Sequence, residues 1–182
     1  MSKASSIARA GLDQRLAEAL ATLPGHPELL GDAVLDRCVW PGSFEGARVG
    51  EINCQRMQAR YVAVDGSPVE VAGRWKAALE TLGWRGSSAP LPPGTGYTAV
   101  RHYYKDPLNQ DFLSVTMVGD RESMALLDNE VRLEGFYEYR RDLREFGGRD
   151  AAERALAAGR QVVELSMART YYFEGPRLHL TD

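Results

Sequence analysis

Residues 61–84 read Tyr61-Val-Ala-Val-Asp65-Gly-Ser67-Pro-Val-Glu70-Val-Ala-Gly-Arg-Trp75-Lys-Ala-Ala-Leu79-Glu-Thr-Leu82-Gly83-Trp84. This stretch decides the fold, because it holds a strand, a turn and a helix with both helix ends chemically marked. Asp65-Gly66 turns the chain, Ser67 can cap, Pro68 occupies the first helical position and Glu70 completes a capping box. Val71, Trp75, Ala78, Leu79 and Leu82 recur at spacings of three and four, while Arg74, Lys76 and Glu80 lie off that stripe. Gly83 suits the left-handed position after a helix, and Trp84 can fold back onto the last turn. The spacing predicts an amphipathic helix from Ser67 to Leu82 that needs a sheet or helix to cover its stripe.

Upstream, Met57, Ala59, Tyr61 and Ala63 alternate with Gln58, Arg60, Val62 and Val64, the period of two of a half-buried strand, and Ile52 to Val64 is read as one. Ala33 to Trp40 forms another, stopped by Pro41-Gly42-Ser43. Ahead of it, Ala8, Leu12, Leu16 and Leu20 stand four apart, with Ala17 and Leu23 beside them, so Ser6 to Leu23 is a helix closed by Pro24-Gly25. This N-terminal helix, within residues 1–25, either packs on the core or reaches out as an arm.

Downstream, Gly86 to Gly96 carries prolines, serines and a Gly-Thr-Gly and reads as an exposed loop. Tyr97 to Tyr104 and Phe112 to Val118 read as antiparallel strands joined by a turn-rich link from Lys105 to Asp111. Over 123–146, Asp128-Asn129 suggests a hairpin of 124–127 with Val131 to Tyr139, passing into a short helix. An entirely helical reading stays open through Phe136, Tyr139, Leu143 and Phe146. Asp150 and Glu153 form a capping signature, and Ala152, Leu156, Val163 and Met167 continue a helix-like face despite Gly159. Thr170 to Leu180 is read as a last strand or a docked tail. The expected fold is α+β: a mainly antiparallel sheet packed against a central amphipathic helix, with N-terminal and C-terminal helices.

The chain has 182 residues, 44% of them hydrophobic, which suits one domain spanning 1–182. Its 22 basic and 25 acidic residues give a net charge of -3, so no overall field recommends nucleic acid or an anionic membrane. The N-terminal residues and the absence of a long apolar run predict neither export nor membrane insertion, and a cytoplasmic location follows. Cys38 and Cys54 are then expected as two reduced thiols. Richness in Ala, Arg and Gly is typical of a GC-rich bacterial or phage genome.

The chemistry-bearing residues are scattered. His26, His102 and His179 stand far apart and no cysteine pair has ligand spacing, so no metal and no cofactor are expected. Gly94-Thr-Gly96 precedes a strand, where phosphate loops lead into a helix. Two patches interleave aromatic and basic residues: Arg101-His-Tyr-Tyr-Lys105, and Tyr137-Glu-Tyr-Arg140-Arg141 continuing to Arg144. Such residues can bind single strands, but Glu134, Glu138, Asp142 and Glu145 offset the second patch. On a strand, Arg101 and Tyr103 share one face and His102 and Tyr104 the other, so half of the first patch is expected in the core. Tyr and Arg are also interface residues, and Tyr97, Arg101, Tyr103, Lys105, Arg140 and Arg141 are the expected partner-binding set.

The run from Tyr61 to Val71, followed by Trp75, Leu79 and Gly83-Trp84, resembles small bacterial strand-helix-meander domains, among them helix-grip lipoprotein domains and some toxin-immunity proteins. The likeness covers residues 61–118, carries over no catalytic residue and lacks the lipoproteins' lipobox cysteine. The leading expectation is a non-enzymatic bacterial binding protein that neutralises or escorts another protein, such as an immunity protein or effector adaptor, with a homodimer left open. Its alternative is a small-molecule enzyme using His102, Tyr104 and a carboxylate such as Asp106. A nucleic-acid-binding module is the third.

Overall fold

The computed structural model describes residues 3–41, 52–88, 97–105, 112–118, 136–144 and 148–174. In chain order the elements are α1 (Lys3–Thr22), β1 (Glu28–Pro41), β2 (Ile52–Val64), α2 (Pro68–Thr81), β3 (Arg85–Ser88), β4 (Tyr97–Tyr104), β5 (Phe112–Val118), β6 (Phe136–Arg144), α3 (Arg149–Ala157) and β7 (Gln161–Glu174). The seven strands make one antiparallel sheet ordered β3-β4-β5-β7-β2-β1-β6. The last strand is thus central, inserted between β5 and β2, and the fold is α+β.

α2 begins where its caps say it should. The Ser67 hydroxyl accepts from the Glu70 amide at 3.4 Å, and the Ser67 amide donates to the Glu70 carboxylate at 2.9 Å. The bond from the Ser67 amide, with one donated by the Ser67 hydroxyl at 2.8 Å, holds the Glu70 carboxyl below its ordinary pKa. At the other end Gly83 takes φ 83°, its amide bonds Glu80 O, and the Trp84 amide reaches back to Leu79 O. This Schellman closure places Trp84 beside Leu79 in the core. Val71, Trp75 and Leu79 are buried, and the Trp75 indole donates to Pro24 O at 3.1 Å, tying α2 to the turn after α1.

The sheet has an inner face under α1 and α2 and an outer face that receives α3. Inner-facing residues come at period two: Leu113, Val115 and Met117 on β5, Val163, Leu165 and Met167 on β7, Val62 and Val64 on β2. Ala8, Leu12, Leu16, Ala19 and Leu23 are all buried. α1 is therefore docked along β7 and β2, and the extended-arm reading gives way to the packed one. On the outer face Ala152 and Ala155 of α3 pack on Ala59, Tyr61, Ala63, Val118 and Val162.

Several expectations need correction. Gly86 to Ser88 is not loop: it pairs with β4 as an edge strand, Gly86 opposite Tyr103. A Cβ at Gly86 would come 2.7 Å from the Tyr103 ring, so glycine there makes room for the ring rather than a loop. Phe136–Arg144 is a strand, not a passage into helix; its register against β1 jumps between Asp36 and Arg37, and that irregularity disturbs the period of two. The proposed first arm, 124–127, lies outside the described residues. α3 starts from Gly148 without a side-chain cap, leaving Asp150 in the first turn, and it ends at Ala157. Val163 and Met167 belong to β7, because a spacing of four keeps residues on one face of a strand as well as of a helix.

Cys38 and Cys54 are not free thiols. They are register partners on β1 and β2, both buried, and joined as a disulfide with Cα atoms 4.0 Å apart. Their 16-residue separation concealed the pairing, which follows from hairpin register.

Candidate functional site

The outer face of β4, β5, β7 and β2 changes character away from α3. Where the inner face presents Leu113, Val115, Leu165 and Met167, the outer face of the same strands presents hydroxyls and one carboxyl. Ser114 stands opposite Ser166, and Thr116 opposite Glu164; on the far side of β7, Glu164 stands opposite Tyr61. The Ser114 and Thr116 hydroxyls are 3.4 Å apart. The Tyr61 and Ser166 side chains both hydrogen-bond the Glu164 carboxyl.

Glu164 keeps part of its surface in solvent while its carboxyl is desolvated. Burial pushes its pKa up, and the bonds from Ser166 and Tyr61 pull it back only in part. The buried Gln161 side chain donates to Val118 O at 2.8 Å and Val162 O at 2.9 Å, closing the patch on the side of α3.

One strand further out, His102 pairs with Ser114 across β4 and β5. Its ring lies 4.7 Å from that of Phe112, and Tyr104 meets Phe112 edge-on at 5.3 Å. Tyr104 is 40% exposed, and Lys105 Nζ sits 5.8 Å from the Trp84 ring centroid. His102 and Tyr104 are thus brought together through Phe112, with Glu164 two strands away. Asp106 and the Gly94-Thr-Gly96 loop lie outside the described residues. Tyr103 is corrected from partner-binding residue to core residue: it is 1% exposed and faces the inner cluster. Tyr97 and Arg101 have their backbones in β4, Arg140 and Arg141 in β6; the side chains of these four lie outside what is described.

Glu164, Ser114, Thr116 and Ser166 escaped sequence reading because no spacing advertises a site assembled across three strands. The available signal was the alternation Val162-Val163-Glu164-Leu165-Ser166-Met167, in which one carboxylate interrupts an apolar strand. No group of three or more His, Cys, Asp or Glu side chains suited to a metal occurs among the described residues.

A second polar cluster lies on the inner face under the first half of α1. Arg56 and Asp36 are cross-strand partners, both fully buried, with Nη1 to Oδ2 at 3.2 Å, and Tyr171 donates to Asp36 Oδ1 at 2.6 Å. Asp13 of α1 accepts from Gln58 at 2.6 Å and from Arg60 at 3.1 Å, and Arg60 also approaches Asp32 at 3.4 Å. Asp13 thus ties α1 to β2, while the Asp36, Arg56 and Tyr171 contacts join β1, β2 and β7. Compared with known proteins, the chain matches no family model, no curated protein and no solved structure.

Proposed function

We propose that this chain is a non-enzymatic binding protein that takes another protein on the outer face of β4, β5 and β7, neutralising or escorting it as an immunity protein or effector adaptor does. The observation that carries this reading is the aromatic group of His102, Phe112 and Tyr104, set beside the hydroxyl patch on the face opposite α1 and α2. Aromatic side chains with a polar tip are the usual anchors of protein interfaces, since they bury much area for little rotamer entropy. Among the described residues, α3 packs mainly on β1, β2 and β7 and meets β5 at its last residue, Val118. The bacterial assignment rests on composition and on the resemblance of residues 61–118.

Co-expression with the products of neighbouring genes tests the proposal. Tyr104→Asp is expected to abolish co-purification of the partner, whereas Val69→Asp, at an 82% exposed position on α2, leaves it intact. A chain that captures none of them at micromolar concentration sinks the reading.

An acid–base enzyme is the second reading, favoured by Glu164, a desolvated carboxyl with a raised pKa on the same face as His102. Turnover lost in Glu164→Gln with folding intact would establish it. A cytoplasmic location has one observation against it, because a disulfide persists where the compartment is oxidising. Alkylation of Cys38 and Cys54 in freshly lysed native cells decides: rapid labelling supports the cytoplasm, and protection until reduction supports an oxidising compartment.

A further inference from the structure

Across the middle of the outer face the strand registers line up a row of apolar residues. Tyr104 pairs with Phe112, Phe112 with Ala168, Ala168 with Met57 and Met57 with Leu35, so β4, β5, β7, β2 and β1 each contribute one. Met57 shares its face with Ala59 and Tyr61, and Leu35 shares its face with Ala33, residues of the cluster under α3. Phe112, Ala168, Met57 and Leu35 are half-buried and Tyr104 is exposed. Among the described residues the cluster under α3 includes Ala59 and Ala33 and stops short of this row. Nine residues make α3 about 13 Å long, too short to roof the rest of the face.

Strand order says what crosses there. β5 and β6 stand four antiparallel steps apart and therefore run parallel. Parallel strands of one sheet are joined by a crossover of a dozen or more residues lying on one of its faces, and here the link is residues 119–135. Val118 ends β5 level with Val162 and Ala63, whereas Phe136 starts β6 opposite Pro41, at the other end of the sheet. The direct path is about 19 Å across the strands and about 40 Å along them, a diagonal of about 44 Å. Fully extended, residues 119–135 span about 60 Å. A detour around the rim would use all of that length, and a crossing over a face leaves slack.

The inner face is already taken by α1 and α2. The hand of the connection points the same way. β2 and β3 are also parallel, and α2 carries the chain between them over the inner face toward the β3 edge. From β5 to β6 the chain proceeds toward the opposite edge. Such crossovers are right-handed with few exceptions, and two of the same hand that progress in opposite directions lie on opposite faces.

We infer that Met57 and Leu35, with Ala168 beside them, are the docking surface for residues 119–135 of the same chain. That segment carries Met124, Leu126, Leu127, Val131 and Leu133, apolar side chains whose burial on a half-buried apolar row is favourable. The crossing starts from β5 and leads away from β4, which leaves Tyr104 outside it. The inference rests on strand order and register and does not depend on the proposed function.

The test is NMR of the full chain with methyl-labelled Met, Leu and Val. Nuclear Overhauser contacts are expected from the Met57 or Leu35 methyls to those of Met124, Leu126, Leu127, Val131 or Leu133. Limited digestion with trypsin is the second measurement. Met57→Asp should speed cleavage after Arg121 and Arg132 by about tenfold or more, because an unpaired charge beneath the segment favours its release. Val69→Asp on α2 should leave that cleavage unchanged, and a cooperative thermal transition confirms that each variant folds. Four results overturn the inference: contacts from those five residues to Leu12 or Leu16 on the inner face; no contact to Met57 or Leu35 while the two contact each other; contacts that a mixture of labelled and unlabelled chains assigns to a second copy; or cleavage unchanged in a folded Met57→Asp. Partner capture and its loss in Tyr104→Asp bear on the proposed function alone, so either idea can fail while the other stands.

Discussion

Asp36 and Glu164 are carboxylates carried by one sheet on opposite faces, and they differ in what answers their charge. Asp36 is fully buried with Arg56 directly across the strand pair and the Tyr171 hydroxyl behind it. Glu164 is partly exposed, and its neighbours across the strands are Thr116 and Tyr61, neither of them charged. The first arrangement is closed: removing either ion would strand the other in a medium that solvates it poorly. The second is open, with a carboxyl whose pKa is raised by burial and whose face still meets solvent. Asp36 is answered by charge within the sheet, and among the described residues the Glu164 carboxyl is answered by hydroxyls.

The largest way to break that contrast is to make Asp36 resemble Glu164. Arg56→Ala leaves the inner carboxylate without its cation, and urea unfolding at pH 7 should show a loss of about 3–5 kcal/mol. A loss under about 1 kcal/mol would mean that water or a rearranged side chain replaces the guanidinium. Next in size, Tyr171→Phe removes a single hydrogen bond to the same carboxylate. Its expected cost is about 1.5–3 kcal/mol, the range for a bond to a charged acceptor, and the double variant with Arg56→Ala should be non-additive because both residues act on Asp36.

The smallest effect has the opposite sign. Glu164 binds its proton more tightly folded than unfolded, so stability falls as pH rises from the ordinary carboxyl value of about 4.3 through the higher folded value. Glu164→Gln removes that penalty. It should be more stable than the parent chain at pH 7, by up to about 1 kcal/mol, and the advantage should vanish below about pH 4, where the parent is protonated in both states. A gap that stays constant with pH would assign the difference to packing, and the outer face would lose its uncompensated charge.

What could be read in advance divides along the same line. The bounds of β2, β4, β5 and the start of α2 were legible, since alternation and caps are local signals. β3 was not, because Gly86 owes its identity to a ring on the neighbouring strand. The sequence divides β7 between helix and tail, because the spacing of Val163 and Met167 fits both periods and only Glu164 and Ser166 between them speak for a strand. His102 and Tyr104 were correctly set on the face opposite Tyr103. Glu164 is not legible in the same way, because its neighbours Tyr61 and Thr116 sit on β2 and β5, roughly 50 or more residues away by their numbers.

By itself the sequence determined the helix from Ser67 onward, its buried stripe, its glycine stop and the α+β class, all of which depend on contacts within a few residues. Tertiary structure alone decided that β7 runs up the middle of the sheet, that Cys38 meets Cys54, that Asp36 is given a cation and that Glu164 is met by the hydroxyls of Tyr61 and Ser166. Those outcomes rest on strand order and register, which bring together residues whose sequence neighbours carry no trace of the pairing.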